Sequence, residues 1–231
     1  MTNSEIIEET IVFVKETLQN AEGGHDWFHI QRVFNNTILI AKEEDVNVLV
    51  VSLGALLHDI ADAKFNDGDE SLGPKMAENF LLSLNVPIDT INHVVKIIKF
   101  SSFKAGLSDG KIKKKLFTSK ELQVVQDADR LDAIGAIGIA RAFNYGGFKN
   151  RMLYNPSTPP NLDMTNEEYK NSTAPTINHF YEKLLLLKGK MNTETGKRLA
   201  EERHQYMLDY LEQFYYEWNP LSFKKHSWNL F

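Results

Sequence analysis

Apolar residues recur at three- and four-residue intervals along most of the chain, with no convincing strand alternation or hairpin signal. The pattern therefore predicts about seven or eight helices and an all-α fold. The first amphipathic stretch runs from Ile6 to Leu18. The segment AEGG stops it, and Asp26 is placed to cap a second helix reaching about Lys42. From Asp45 the run VNVLVVSLGALLHDIAD is almost wholly apolar, as expected of a central buried helix. Helices follow over about Ser71–Leu84 and Pro87–Phe100, after the polar break KFNDGDES. SSFKAGLSDGKIKKK reads as a surface loop, and one long helix is predicted over about Ser119–Phe143. A stretch of roughly thirty turn-forming residues comes next, long enough to be functional rather than a bare connector. Helices around Thr176–Lys188 and Thr193–Trp218 close the pattern.

Composition narrows the functional classes. The chain has 231 residues, 42% of them hydrophobic, enough for one sizeable core. With 26 basic and 31 acidic residues the net charge is −5, which argues against a nucleic-acid coat or a membrane-surface patch. The absence of cysteine removes disulfides and thiolate ligands, leaves His, Asp and Glu as metal ligands, and fits a reducing, cytoplasmic compartment. The N-terminal residues lack a basic region and a long apolar core, so they do not read as a signal peptide.

The candidate chemistry lies in three stretches. His58 and Asp59 stand together in an otherwise aliphatic helix, where an unpaired buried carboxylate would cost several kcal/mol. His29 follows the Asp26 cap, and Asp129 is expected to be buried among Val124, Val125, Ala128 and Leu131. Side chains from separate helices can close a ligand set around one divalent ion, and His29, His58, Asp59 and Asp129 form such a set. Each also has a plainer reading: His58 as a satisfied core histidine, Asp129 paired with Arg130 or Arg32, and Asp26 as a cap alone. Gly135 and Gly138 are poor helix residues unless another backbone approaches closely. Phe34, Phe80 and Phe100 read as core aromatics.

HDWFHIQRV (His25–Val33), ALLHDIADAKF (Ala55–Phe65) and DADRLDAIGAIGIARAFNYGG (Asp127–Gly147) together resemble the HD superfamily of metal-dependent phosphohydrolases. Within it they are most similar to the bacterial single-domain group that includes nucleotide pyrophosphohydrolases. The resemblance spans Gly23 to about Gly147. It implies one HD domain over residues 1–231, with a helical core from about 20 to 145 and the remainder packed on it. The family's ligand set falls on His29, His58, Asp59 and Asp129. The implied cofactor is one divalent ion (Mn²⁺, Ni²⁺, Co²⁺, Fe²⁺ or Mg²⁺), and the implied reaction is hydrolysis of phosphate esters or anhydrides. VPIDTINHVVKIIKF supplies only His93, so the two-metal variant of the superfamily is not expected.

Asp62, three residues beyond Asp59, is expected one turn further along the same helix face, where an acid or base would serve. In similar HD nucleotidases a carboxylate at this offset acts beside the metal; a helix-end cap is the plainer reading. His25 fits a second catalytic candidate, a substrate contact or a turn residue equally well. Lys64, Lys104 and Arg130 are candidate phosphate contacts, and Tyr145 or Phe148 could stack on a base in a lid. The run Lys111–Lys115 reads as a solvated face. The expected partner is a small nucleotide or phosphoester, with neither nucleic acid nor membrane, and a homodimer is compatible with the sequence. Cleavage of nucleoside triphosphates to monophosphate and pyrophosphate is the first expectation. A monophosphate phosphatase and a non-catalytic nucleotide sensor are the alternatives.

Overall fold

The computed structural model describes residues 1–19, 26–61, 69, 71–101 and 117–221. Among them there is no strand, as the periodicity predicts, and no helix is long and apolar enough to cross a membrane. The chain divides into two compact units, Met1–Asp132 with Met191–Lys197, and Ala133–Lys190 with the residues from Arg198 onward.

The first unit holds Asn3–Thr17 (α1), Trp27–Ala41 (α2), Val48–Leu57 (α3), Leu72–Ser83 (α4), Ile88–Ser101 (α5) and Lys120–Asp132 (α6). Helix α3 is its centre: every residue from Val50 to Leu57 is buried, and α1, α2, α5 and α6 all pack on it. Full burial of each leucine there contributes about 2 kcal/mol. Helix α2 also lies along α6, and α4 along α5. Caps set the boundaries. Asp26 accepts from the His29 amide as expected, whereas α3 starts at an Asn47 cap rather than at Asp45 and ends at Leu57, with His58 as its C-cap. Phe34, Phe80 and Phe100 are only partly buried, flanking the core rather than filling it.

The expected long helix over Ser119–Phe143 is two helices. Gly135 has φ +75°, a left-handed conformation that only glycine adopts cheaply, and there the chain turns into Gly135–Phe148 (α7). A Cβ on Gly138 would lie 2.2 Å from the Ala133 carbonyl oxygen. The close backbone approach expected of the glycines is therefore made, at Gly138, by the chain's own turn.

The second unit contains α7, Asn166–Asn171 (α8), Asn178–Glu182 (α9), a 3₁₀ stretch over Leu184–Lys190 and most of Glu194–Trp218 (α10). The stretch expected to be all turn contains α8, closed by a capping box between Thr165 and Glu168. The helix expected over Thr176–Lys188 is split at Lys183, whose φ −145° is not helical. The aromatic core is built on Phe180, fully buried, with Phe143 and Tyr210 each 6.0–6.1 Å away or from one another between ring centroids.

Candidate metal centre

Helix α2 carries His29, Arg32 and Asn36 on one face, and α6 carries Ala128, Asp129 and Asp132 opposite them. Asn36 Nδ2 donates to the Ala128 carbonyl at 3.3 Å, fixing the register of the two helices. His29 is 3% exposed, and its Nδ1 lies 2.8 Å from Asp132 Oδ2. An ionised carboxylate can only accept, so Nδ1 carries a proton, and in the neutral ring Nε2 then offers its lone pair. Nε2 is 3.6 Å from Asp129 Oδ1. His58 has the same arrangement: Nδ1 donates to the Ala55 carbonyl at 2.8 Å, and Nε2 lies 3.9 Å from the same Asp129 oxygen. The two imidazoles meet edge to face with centroids 5.4 Å apart.

Ligand atoms of His29, His58 and Asp59 all lie within 4.8 Å of one another, and Asp129 stands against both histidines. These residues come from α2, the end of α3 and α6, so the three sequence stretches do converge. Two imidazole nitrogens with their other ring nitrogen engaged by protein acceptors, together with carboxylates, suit a divalent ion. His58 and Asp59 achieve this by leaving the helix: Asp59 lies in the turn after α3 rather than on its face.

Several expectations change. Asp129 is not buried; its side chain is 41% exposed. The buried acids of α6 are Asp127 and Asp132, each with cationic and hydrogen-bonding partners that offset the loss of water. The arginines that the plainer reading pairs with Asp129 are engaged by other aspartates. Arg32 grips Asp132 through Nε at 2.6 Å and Nη2 at 3.1 Å. The hydrogen bond to Asp132 holds the Arg32 guanidinium above its ordinary pKa, against the opposing effect of burial. Arg130 Nη1 donates to Asp127 Oδ1 at 3.1 Å. Asp127 also accepts from the Asn192 amide, and from the Thr193 amide and hydroxyl at 2.7 and 2.9 Å, which anchors the segment before α10.

Asp132 is the site residue that sequence reasoning missed. Its signal is the spacing from Val125 through Ala128 to Asp132, the interior face of α6, on which Asp129 is a flanking position. His25, Asp62, Lys64 and Lys104 lie outside the described residues. Helix α3, on whose face Asp62 was expected, ends at Leu57. Tyr145 is on α7 in the second unit, 47% exposed, with Lys149 Nζ 5.7 Å and Arg151 Cζ 5.6 Å from its ring centroid. Phe148, 69% exposed, has the same Lys149 at 5.2 Å. A recess of about 400 Å³ in the second unit is lined by Tyr154, Tyr181, Tyr215 and prolines, without a histidine or carboxylate.

The HD domain family matches residues 27–134, the span that contains the four ligand candidates. YpgQ of Bacillus subtilis, an uncharacterized protein, is 37% identical over 206 residues, covering 89% of this chain and 90% of its own. Among solved structures, an HD-superfamily hydrolase from Bacillus thuringiensis is 43% identical, with a TM-score of 0.75 over 94% of this chain and 99% of that one. B. subtilis YpgQ in complex with ADP superposes with a TM-score of 0.73 at 34% identity, over 94% of this chain and 97% of that one. The chain belongs to the HD superfamily of hydrolases.

Proposed function

We propose that this chain is a metal-dependent phosphohydrolase of nucleotides that cleaves (deoxy)nucleoside triphosphates to the monophosphate and pyrophosphate. The observation that carries the reading is the convergence of two imidazole Nε2 atoms with the carboxylates of Asp59 and Asp129. His29, His58, Asp59 and Asp129 would hold the ion, and their nitrogen and oxygen donors suit Mn²⁺, Ni²⁺, Co²⁺, Fe²⁺ or Mg²⁺. When bound, such an ion polarises a phosphoryl oxygen and makes water a stronger nucleophile at neutral pH. The part-exposed Asp129 leaves the centre accessible from solvent, as a catalytic site requires and a sealed structural site does not.

A nucleotide as substrate is supported by the ADP complex of YpgQ. At the α-phosphorus a water oxygen forms the new bond, the bond to the β-phosphate's bridging oxygen breaks, and pyrophosphate leaves with that electron pair. This leaving group departs more readily than a nucleoside alkoxide and asks less of a general acid. Asp62 is the preferred acid or base and His25 the second candidate. Lys64 and Lys104 are preferred as phosphate contacts over Arg130, whose guanidinium is engaged by Asp127.

Incubation of Mn²⁺-loaded protein with deoxynucleoside triphosphates in ¹⁸O water tests the reading. The expected products are monophosphate bearing the label and unlabelled pyrophosphate, with no diphosphate intermediate. More efficient release of orthophosphate and nucleoside from monophosphates would replace this reading with the phosphatase one. Asp62→Asn should keep the metal and lower turnover by about a hundredfold.

A further inference from the structure

The two histidines of the centre are held differently. His58 donates its Nδ1 proton to a carbonyl of its own helix, whereas His29 donates to a carboxylate on α6, 103 residues away in sequence. That carboxylate, Asp132, is 2% exposed and is clamped by the Arg32 fork on both oxygens. Arg32 lies one turn beyond His29 on α2, and Asp132 one turn beyond Asp129 on α6. Each helix thus contributes one residue to the centre and one to the support behind it.

We propose that Asp132, fixed by Arg32, is a positioning residue for His29. It holds the ring in the Nδ1–H form, so that the Nε2 lone pair is always directed at His58, Asp59 and Asp129. Without an anionic acceptor behind it, His29 could rotate or carry its proton on Nε2, and either change removes a donor from the centre. Arg32 keeps the buried carboxylate compensated and prevents it from turning toward the centre itself. The role of Asp132 rests on the metal-centre reading above, but the tautomer it enforces can be observed without any metal.

The test combines two readouts on the full chain. In the metal-free protein at pH 8, ¹⁵N–¹H correlation through the imidazole ring should show His29 protonated on Nδ1, and in Asp132→Asn that preference should be lost. Calorimetric titration with Mn²⁺ should give a dissociation constant 10- to 100-fold weaker for Asp132→Asn, the scale on which partners behind a ligand act. Arg32→Lys, which keeps a cation but loses the fork, should fall between wild type and Asp132→Asn. A wild-type His29 protonated on Nε2, or an Asp132→Asn protein that binds Mn²⁺ within twofold of wild type, would overturn the proposal. If Asp132→Asn does not fold, the wild-type tautomer and the Arg32→Lys titration decide it by the same criteria. Failure of wild type to bind Mn²⁺ while His29 keeps its Nδ1 proton would instead count against the metal reading and leave the positioning of the ring supported.

Discussion

His29 and His179 are both enclosed histidines, one in each unit, and their neighbours give them opposite characters. His29 donates to Asp132, which Arg32 also holds, and faces Asp129, so carboxylates stand at both of its ring nitrogens. His179 is hydrogen-bonded to Tyr169 Oη at 2.9 Å and sits near Lys183 and Arg151. Burial first, and then those two cations, pushes its pKa down to about 3. Enclosure alone therefore does not make a histidine a ligand. A ring can serve a cation where carboxylates converge on one side of it and an acceptor fixes its other nitrogen. At His179, burial and the neighbouring cations favour the neutral ring.

The largest effect expected from this contrast is in metal content. His29→Ala should lose the bound ion and reduce turnover by a hundredfold or more, whereas His179→Ala should keep the wild-type stoichiometry. Elemental analysis of the two purified variants after loading with Mn²⁺ and desalting checks this. Next in size are the cores on which the two histidines rest. Phe180→Ala should destabilise the second unit by about 3–5 kcal/mol and Leu56→Ala the first by about 2–5 kcal/mol. Hydrogen exchange resolves the loss by segment, and only Leu56→Ala should also weaken metal retention.

A smaller effect comes with pH. The folded pKa of His179 lies below the ordinary histidine value of about 6.5, so between those limits the unfolded chain binds more protons than the native one. The contribution to stability is intact above about pH 6.5 and is lost as pH falls toward 3, at up to about 1.4 kcal/mol per pH unit. His179→Gln should flatten that part of the stability curve in urea titrations at pH 6, 5 and 4. An unchanged slope would show that His179 is protonated as readily in the fold as outside it. Smallest is the cap: Asp26→Ala removes the acceptor of the His29 amide and should cost about 1 kcal/mol in thermal unfolding.

Legibility in the sequence follows the range of the interaction. Helices α1, α2, α4 and α5 and the Asp26 cap follow local periodicity and could be read directly, whereas the end of α3 at Leu57 could not, because apolar residues continue past it to Ile60 and Ala61. The break before α7 could not, because apolar periodicity continues on both sides of it and only the positive φ of Gly135 marks the turn. His58-Asp59, His29 and Asp129 could be picked out because the sequence sets them among apolar residues, and the fold brings them together. Asp132 could not be, since His29 and Arg32, with which it pairs, belong to a helix a hundred residues earlier. Asp129 was expected in the interior because its neighbours are apolar, although the buried positions around it on α6 are Asp127, Ala128, Leu131 and Asp132. The plainer reading of Asp129, a salt bridge to Arg32 or Arg130, does not hold: Arg32 and Arg130 each take a buried aspartate, and Asp129 faces the histidines.

Two imidazoles from different helices, with Asp59 and Asp129 beside them, are proposed to hold one divalent ion. Electron spin-echo modulation of the Mn²⁺-loaded protein measures this directly, because imidazole nitrogens bound to Mn²⁺ modulate the echo and ¹⁵N-histidine labelling identifies them. Two coordinated histidines per bound Mn²⁺ are expected, falling to one in either His29→Ala or His58→Ala under metal excess. A spectrum without imidazole coupling, or one that keeps both couplings after His29→Ala, would contradict this.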